Sequence, residues 1–357
     1  MSDQFTDFLT ELSSGKKGKN VNFKVYPGTS LELDSHISYG IPTRIPALDL
    51  SLGRPGWPAG RVVELFGLPH AGKSSGALAA IASVQRMNGL CLLIDTERTY
   101  DPTWARLQGV DPSQLAVAHA DTIDEIFTIQ EKAIDAKLKT DKANLPFITV
   151  ADSVTGVPSN ESAEKEYGEV QRLGTDARSI RSGIRKLNAK IASSKSLAIY
   201  VNHSISNTNA MSFAKQSMSA GGHAIKYYSS CRIEFVRAGT LTSERNGEKY
   251  RDGIKVKLNI EKNKVCVTGK PTVECELLNT GFDIATNLFD ALITIGEIKQ
   301  INQKNYSFTI PNKEETVQLT KGDWPKFIAD YATDVNKVYE WFLIKAQQKG
   351  FLKPYER

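Results

Sequence analysis

One stretch of the sequence has the residue types and spacing of a phosphate-binding loop. Residues 67–75 read GLPHAGKSS and match the pattern G-x-x-x-x-G-K-[ST]. Glycines let such a loop curl so that successive backbone N–H groups point at one anion, and the positive N-terminal end of the following helix adds to the attraction. The pattern predicts that a nucleoside triphosphate is held by Gly67, Leu68, Pro69, His70, Ala71, Gly72, Lys73, Ser74 and Ser75. The weaker alternative is a glycine-rich turn without a ligand.

The same chemistry assigns roles to individual side chains. Lys73 is expected to reach the β- and γ-phosphates, and the Ser74 hydroxyl to bind Mg²⁺. A magnesium site of this kind also needs a carboxylate at the end of a neighbouring strand, and LPFITVADS supplies Asp152 after a buried apolar run. The alternative for Asp152 is a cap on the following turn, because aspartate is common at strand ends.

Hydrolysis of the nucleotide requires a group that positions or deprotonates water. The segment CLLIDTERTYDP ends a third predicted strand with Asp95 and Glu97. Two residues apart in an extended strand, they are expected to share a face. We favour Glu97 because it lies nearer the carboxyl end, where ligands bind in such sheets, although the spacing alone leaves both open.

The elements around these residues predict an α/β fold. Apolar strands near 61–66, 91–95, 146–151 and 197–202 alternate with helical stretches, which is typical of a parallel sheet covered by helices. Further strands at about 231–237, 254–261 and 271–278 follow one another with a turn at RNGEKYRDG and no long helix between them. The predicted sheet is therefore mixed but mainly parallel, twisted and flanked by helices.

Changes in composition divide the chain into three parts. Residues 1–36 hold a short amphipathic helix over 3–13 and a flexible basic stretch. Residues 37–280 form the α/β core. Residues 281–357 are predicted to form a small C-terminal α/β domain with a hairpin around YSFTI.

Composition narrows the class of protein further. The 357 residues are 40% hydrophobic and 24% charged, enough to bury a large core. No apolar run is long enough to span a membrane, and the acidic N-terminus does not read as a signal peptide, so we expect a cytoplasmic protein with four reduced cysteines. The net charge of +5 permits a polyanionic partner without requiring one.

Four ordered blocks carry a resemblance to a known family: residues 60–111 (GRVVELF to LQGVD), ADSVTG, the segment from VNHS to CRIEF, and EKNKVCVTGKP. Together they resemble the RecA family of recombinases over about residues 37–300. The resemblance implies a RecA-like P-loop ATPase core that uses ATP and Mg²⁺. It also implies a helical filament on single-stranded DNA, with ATP at the subunit interface, that exchanges strands with homologous duplex DNA.

The resemblance also implies roles around the nucleotide. It makes Glu97 the residue that activates water and places adenine beside Asp101 and Trp104. It matches Lys262 and Lys264 with lysines that reach the nucleotide of the neighbouring subunit. From the residues alone, Trp104 reads as a helix-face core residue and the two lysines as solvent-facing.

Two polar segments match the DNA-binding loops of the family: the first polar segment, residues 156–176, and the second polar segment, residues 204–222. In the second segment, Met211 and Phe213 are predicted to insert between bases, and the backbone amides of Gly221 and Gly222 to bind phosphate. After the first segment, one face of a helix is predicted to contact a row of phosphates through Arg178, Arg181 and Arg185. The alternative for the arginines is a solvated basic face.

The chain also departs from bacterial members of the family. In YVNHS, His203 occupies the place of a glutamine that senses the γ-phosphate, so we expect nucleotide switching to depend on pH. The sequence also ends at FLKPYER without a long acidic tail. Both features resemble the phage-encoded, UvsX-like branch, which would place the protein in the host cytoplasm.

Two rival functions share the phosphate loop. The first is a RecA-like ring ATPase, either a helicase motor or a recombination paralogue that exchanges no strands. The second is a small-molecule kinase, for which we find no arginine-rich lid in the sequence. For the recombinase, mediator and single-strand-binding proteins are the expected additional partners.

Overall fold

The structure is a computed structural model that describes residues 4, 6, 7, 25–27, 30, 32, 33, 36–140, 143–164, 174–206, 217–219, 222–267, 269–311, 315–331 and 334–355. Of the helix predicted over 3–13, Gln4, Thr6 and Asp7 are helical, and the remainder lies outside the described residues. Among the described helices, none combines the length and apolar character needed to cross a membrane.

The described elements alternate along the first two thirds of the chain. The strands are β1 (Gly40–Ile41), β2 (Trp57–Pro58), β3 (Val62–Gly67), β4 (Leu90–Asp95), β5 (Ala116–His119), β6 (Phe147–Asp152), β7 (Leu197–Ser206), β8 (Ser217–Ser219), β9 (Cys231–Arg245), β10 (Glu248–Asn263), β11 (Thr272–Leu278), β12 (Gly281–Phe282), β13 (Ile298–Gln300), β14 (Asn305–Thr309) and β15 (Thr316–Thr320). The helices are α1 (Pro46–Leu52), α2 (Lys73–Arg86), α3 (Pro102–Leu107), α4 (Ile123–Leu138), α5 (Asn160–Ala163), α6 (Thr175–Ser193), α7 (His223–Tyr228), α8 (Ile284–Thr294), α9 (Trp324–Tyr331) and α10 (Val335–Gln348).

One large sheet organises the core. Its strand order is β12-β11-β10-β9-β3-β7-β6-β4-β5, with β8 paired to β7. The parallel pairs are β3 with β7, β7 with β6, β6 with β4, and β4 with β5. Strand β9 pairs in parallel with the other side of β3, and β10, β11 and β12 follow it in antiparallel pairs. The predicted mixed, mainly parallel sheet flanked by helices is confirmed.

Two parts of the sheet differ from the sequence prediction. Strand β5 was missed because it is short and mostly exposed at the sheet edge. Strands β9 and β10 run further than predicted, and their turn is only Asn246-Gly247, where both residues have positive φ as a two-residue hairpin requires. Beyond Arg237 the hairpin is largely exposed, so no apolar run marks its outer half.

Apolar side chains cover both faces of the sheet. Helix α2 is buried along nearly its whole length because its run of alanines and small residues fits between elements. Helix α6 packs one face through Ile180, Ile184, Leu187 and Ile191 onto the other side. Three of the cysteines are buried, Cys266 is half-buried, and all four are free thiols.

Residues 284–352 build a third apolar cluster around Phe289, Phe308, Trp324 and Phe342. It meets the core at a buried polar contact. The Tyr339 hydroxyl on α10 donates a hydrogen bond to the Asp49 carboxylate on α1, which also accepts from the Thr43 N–H at 3.2 Å.

Burial raises the pKa of Asp49 from 3.8 to about 7, which predicts a pH-dependent stability. As pH rises between these values, the unfolded chain loses a proton that the folded chain retains, so the free energy of unfolding falls. We expect Asp49→Asn to remove this contribution, on the order of a few kcal/mol. In thermal unfolding, the Tm of the variant minus that of the wild type should increase from pH 4 to about pH 7 and then level off. A constant difference would contradict the prediction.

Candidate functional site

The predicted phosphate loop connects β3 to α2 and requires glycine at both ends. Gly67 has φ 152° and Gly72 has φ 94°, backbone conformations that other residues rarely adopt. A Cβ on Gly67 would lie 2.2 Å from the Phe235 carbonyl oxygen, and one on Gly72 would lie 2.7 Å from Leu277 Cδ2. The loop is therefore folded tightly against β9 and β11, which leaves its other side open to a ligand.

A cavity of about 390 Å³ opens over this loop. Of the predicted site residues, it is lined by Pro69, His70, Ala71, Gly72, Lys73, Ser74, Ser75, Glu97, Trp104, Asp152 and His203. Leu68 points outward with 52% of its surface exposed. Sequence reasoning missed three further polar residues of the lining, Gln108, Arg251 and Asn279, because no local motif marks them.

Lys73 lies buried at the base of the cavity, where its ammonium nitrogen donates to the Leu68 carbonyl oxygen at 2.9 Å. Burial lowers the pKa of Lys73, and the nearby carboxylates of Asp152 and Glu97 oppose that shift. A partly desolvated cation held against a glycine-bounded loop suits a polyphosphate.

The two predicted magnesium ligands are in contact. The Ser74 hydroxyl donates to the Asp152 carboxylate, whose pKa burial raises to about 6, and neighbouring Glu97 acts in the same direction. Oxygen ligands of this kind fit Mg²⁺. No group of three or more His, Cys, Asp or Glu that could hold a metal occurs in the described part of the chain. With Mg²⁺ bound, Ser74 and Asp152 would supply two ligands and leave the remaining positions to phosphate and water.

Glu97 and Asp95 have separate environments. Glu97 Oε1 accepts hydrogen bonds from Ser153 Oγ at 3.0 Å and from His203 Nε2 at 2.9 Å. Asp95 Oδ2 instead accepts from the Tyr100 N–H at 2.9 Å. The prediction that both carboxylates share one face of an extended strand is wrong, because β4 ends at Asp95 and the chain bends before Glu97.

Of the two residues predicted to lie beside adenine, Trp104 lines the cavity and Asp101 does not. Trp104 is 36% exposed and lines the cavity, so the interpretation as a core residue is wrong. The Asp101 carboxylate caps α3 by accepting from the Thr103 N–H at 2.6 Å and from the Trp104 N–H at 3.3 Å. Asp101 is not among the residues that line the cavity.

Lys262 and Lys264 stand apart from the cavity over the phosphate loop of their own chain, which neither residue lines. Lys262 Nζ donates to the carbonyl oxygens of Lys226 at 2.7 Å and Tyr227 at 3.0 Å, at the end of α7. Burial lowers the pKa of Lys262 to about 8, and the charges of Lys264 and Arg232 add to the shift. Lys264 is exposed.

The predicted DNA-binding residues are described in part, since Met211, Phe213 and Gly221 lie outside the described residues. The exposed side of α6, opposite its apolar face, carries Arg178, Arg181 and Arg185. Gly222 precedes α7, and a Cβ on it would lie 3.0 Å from the Ala177 Cβ on α6. The end of the second polar segment therefore lies against the helix that follows the first.

The contact between His203 and Glu97 links the second polar segment to this carboxylate. His203 immediately precedes that segment, and its Nε2 lies 2.9 Å from Glu97 Oε1.

A mixed sheet with a glycine-bounded phosphate loop at the end of β3, and with carboxylates at the ends of neighbouring strands, defines a RecA-like α/β fold of the P-loop type. The family model of the RecA N-terminal domain matches residues 25–282, and the chain belongs to the RecA family.

The chain is similar to proteins of several bacteria that carry the name Protein RecA. It is 31% identical over 271 residues to that of Chlamydia trachomatis serovar L2, covering 74% of this chain and 73% of the relative. It is 32% identical over 260 residues to that of Chlorobaculum parvum, covering 73% and 71%. It is 35% identical over 225 residues to that of Rhodopirellula baltica, covering 63% and 56%.

Proposed function

We propose that the protein is an ATP-dependent DNA recombinase. In this proposal it forms a helical filament on single-stranded DNA and catalyses homologous pairing and strand exchange. The observation that carries the proposal is the position of Glu97. Its carboxylate accepts hydrogen bonds from Ser153 and His203, which stand just before the two polar segments proposed to bind DNA. The carboxylate that acts on water would therefore be hydrogen-bonded to residues next to both DNA-binding segments.

The residues of the cavity suit hydrolysis of ATP. The loop amides and Lys73 would bind the phosphates, and Mg²⁺ held by Ser74 and Asp152 would supply stabilisation of phosphate charge. Glu97 would accept a proton from the attacking water. The exposed rim of the cavity leaves room for a neighbouring subunit to contribute Lys262 and Lys264, and Trp104 would stack on adenine with Asp101 beside it.

DNA would be held through its backbone and by stacking, so sequence preference should be slight. The arginine face of α6 would contact phosphates, Met211 and Phe213 would insert between bases, and the amides of Gly221 and Gly222 would bind phosphate. Residues 1–36 would pack on the adjacent protomer of the filament, next to the core of residues 37–280.

The proposal extends to the origin, location and partner proteins of the chain. His203 in place of glutamine supports assignment to the phage-encoded, UvsX-like branch. The protein would then act in the host cytoplasm. Mediator and single-strand-binding proteins would be its partners.

The test is ATP hydrolysis measured with and without single-stranded DNA, followed by a strand-exchange assay and negative-stain imaging. We expect DNA to stimulate hydrolysis strongly, joint molecules to form, and filaments to be visible. Closed hexamers without strand exchange would favour a ring ATPase instead. Hydrolysis that is indifferent to DNA would contradict the recombinase proposal and leave an ATPase.

A further inference from the structure

A buried chain of polar contacts crosses four neighbouring strands of the sheet. Glu64 on β3 is fully buried and forms an ion pair with Arg232 on β9. Its other carboxylate oxygen accepts a hydrogen bond from Asn202 Nδ2 on β7 at 2.8 Å. Asn202 Oδ1 in turn accepts from the Thr155 hydroxyl at 3.0 Å, just beyond β6. Because Asn202 is also fully buried and held by Glu64, it is a fixed point for Thr155.

Thr155 stands immediately before the first polar segment, between Ser153, which donates to Glu97, and Gly156, which lies close to Glu97. The N–H of Val154 donates to a β7 carbonyl oxygen at 3.0 Å, so the chain continues along β7 after β6 ends. The next residue, Gly156, is packed so closely that a Cβ would lie 2.8 Å from Ser153 Oγ and 3.6 Å from Glu97 Cγ. Ser153 Oγ is the atom that donates to Glu97. A movement of Gly156 would therefore displace a partner of the carboxylate.

We propose that Thr155 is a positioning residue through which DNA bound to the first polar segment changes the rate of ATP hydrolysis at Glu97. The inference rests on the proposed function and adds a route to it that is separate from His203. The Thr155 hydroxyl holds one end of the segment to the buried Asn202, so a displacement of the segment is transmitted to Gly156 and Ser153. Without the hydroxyl, the segment would move without moving the contacts of Glu97.

The test compares Thr155→Val, Thr155→Ser and a matched control, Thr149→Val. Valine keeps the shape of threonine and removes the hydroxyl, whereas serine restores the hydroxyl. Thr149 lies on β6, and its hydroxyl accepts from Gln130 Nε2 at 3.0 Å, so Thr149→Val removes a buried hydrogen bond in the same sheet away from Glu97. The measurements are kcat and the KM for ATP, each without and with saturating single-stranded DNA.

We expect Thr155→Val to lower the ratio of DNA-stimulated to basal kcat by about two- to tenfold, with little change in the KM for ATP. Thr155→Ser and Thr149→Val should keep the wild-type ratio. A wild-type ratio in Thr155→Val would overturn the inference, as would an equal fall in Thr149→Val, since the effect would then come from general loosening of the sheet.

The response of the wild type to DNA separates a failure of the role of Thr155 from a failure of the proposed function. Stimulation by DNA in the wild type together with an unchanged Thr155→Val ratio overturns only the role of Thr155. Absence of stimulation in the wild type overturns the proposed function, and the role of Thr155 with it.

Discussion

Changing Lys73 to alanine is expected to abolish nucleotide-dependent DNA binding and to lower ATP hydrolysis by about 10²–10³-fold. The Lys73 ammonium is buried between the phosphate loop and the carboxylates of Asp152 and Glu97. Without it, phosphate charge would approach these carboxylates with no cation from the loop to offset the repulsion. DNA binding by gel shift with and without a slowly hydrolysed ATP analogue, together with phosphate release, measures both effects.

Lys137 provides a matched control for the loss of a buried ammonium. Its Nζ donates to the Ser194 carbonyl oxygen at 2.6 Å, and burial lowers its pKa to about 8, but it does not line the nucleotide cavity. Lys137→Met should lower the Tm while leaving nucleotide-dependent DNA binding in place. Tight, ATP-stimulated DNA binding by Lys73→Ala would exclude this loop as the phosphate site.

The places in the fold of the phosphate loop and of Asp152 could be predicted from the sequence because they have a local cause. The phosphate loop requires glycine at positions fixed by backbone conformation, and Gly67 and Gly72 have the φ angles that explain the motif. Asp152 follows an apolar run typical of a buried strand, and it lies at the carboxyl end of β6, which pairs with β4 on one side and β7 on the other. Such features can be predicted from the sequence because they depend on residues that are neighbours in the chain.

Features that depend on distant segments were not visible in the sequence. Arg251 and Asn279 come from the antiparallel part of the sheet and reach the cavity only because β9 pairs with β3. The contact between Thr155 and Asn202 requires that the chain after β6 stays beside β7. The different surroundings of Asp95 and Glu97 depend on a bend that alternating periodicity does not predict.

Glu97→Gln is expected to lower the kcat for ATP hydrolysis by about 10²–10⁴-fold, the range for loss of a general base, while ATP binding is retained. Glutamine keeps the size of the side chain, and its amide oxygen can still accept from Ser153 Oγ. It cannot accept a proton from water near neutral pH. Phosphate release gives kcat, and a fluorescent ATP analogue gives nucleotide affinity. Since ATP would persist at each site, complexes with single-stranded DNA should also last longer than those of the wild type.

Asp95→Asn tests which of the two carboxylates acts on water, a choice that their spacing in the sequence left open. Asp95 already accepts a hydrogen bond from the Tyr100 N–H and is almost fully buried, so its part is to hold the bend after β4. Its variant should therefore lower Tm more than Glu97→Gln does and reduce kcat far less. The reverse order of effects on kcat would make Asp95 the base, and the hydrogen bonds from Ser153 and His203 to Glu97 would then have only a structural part.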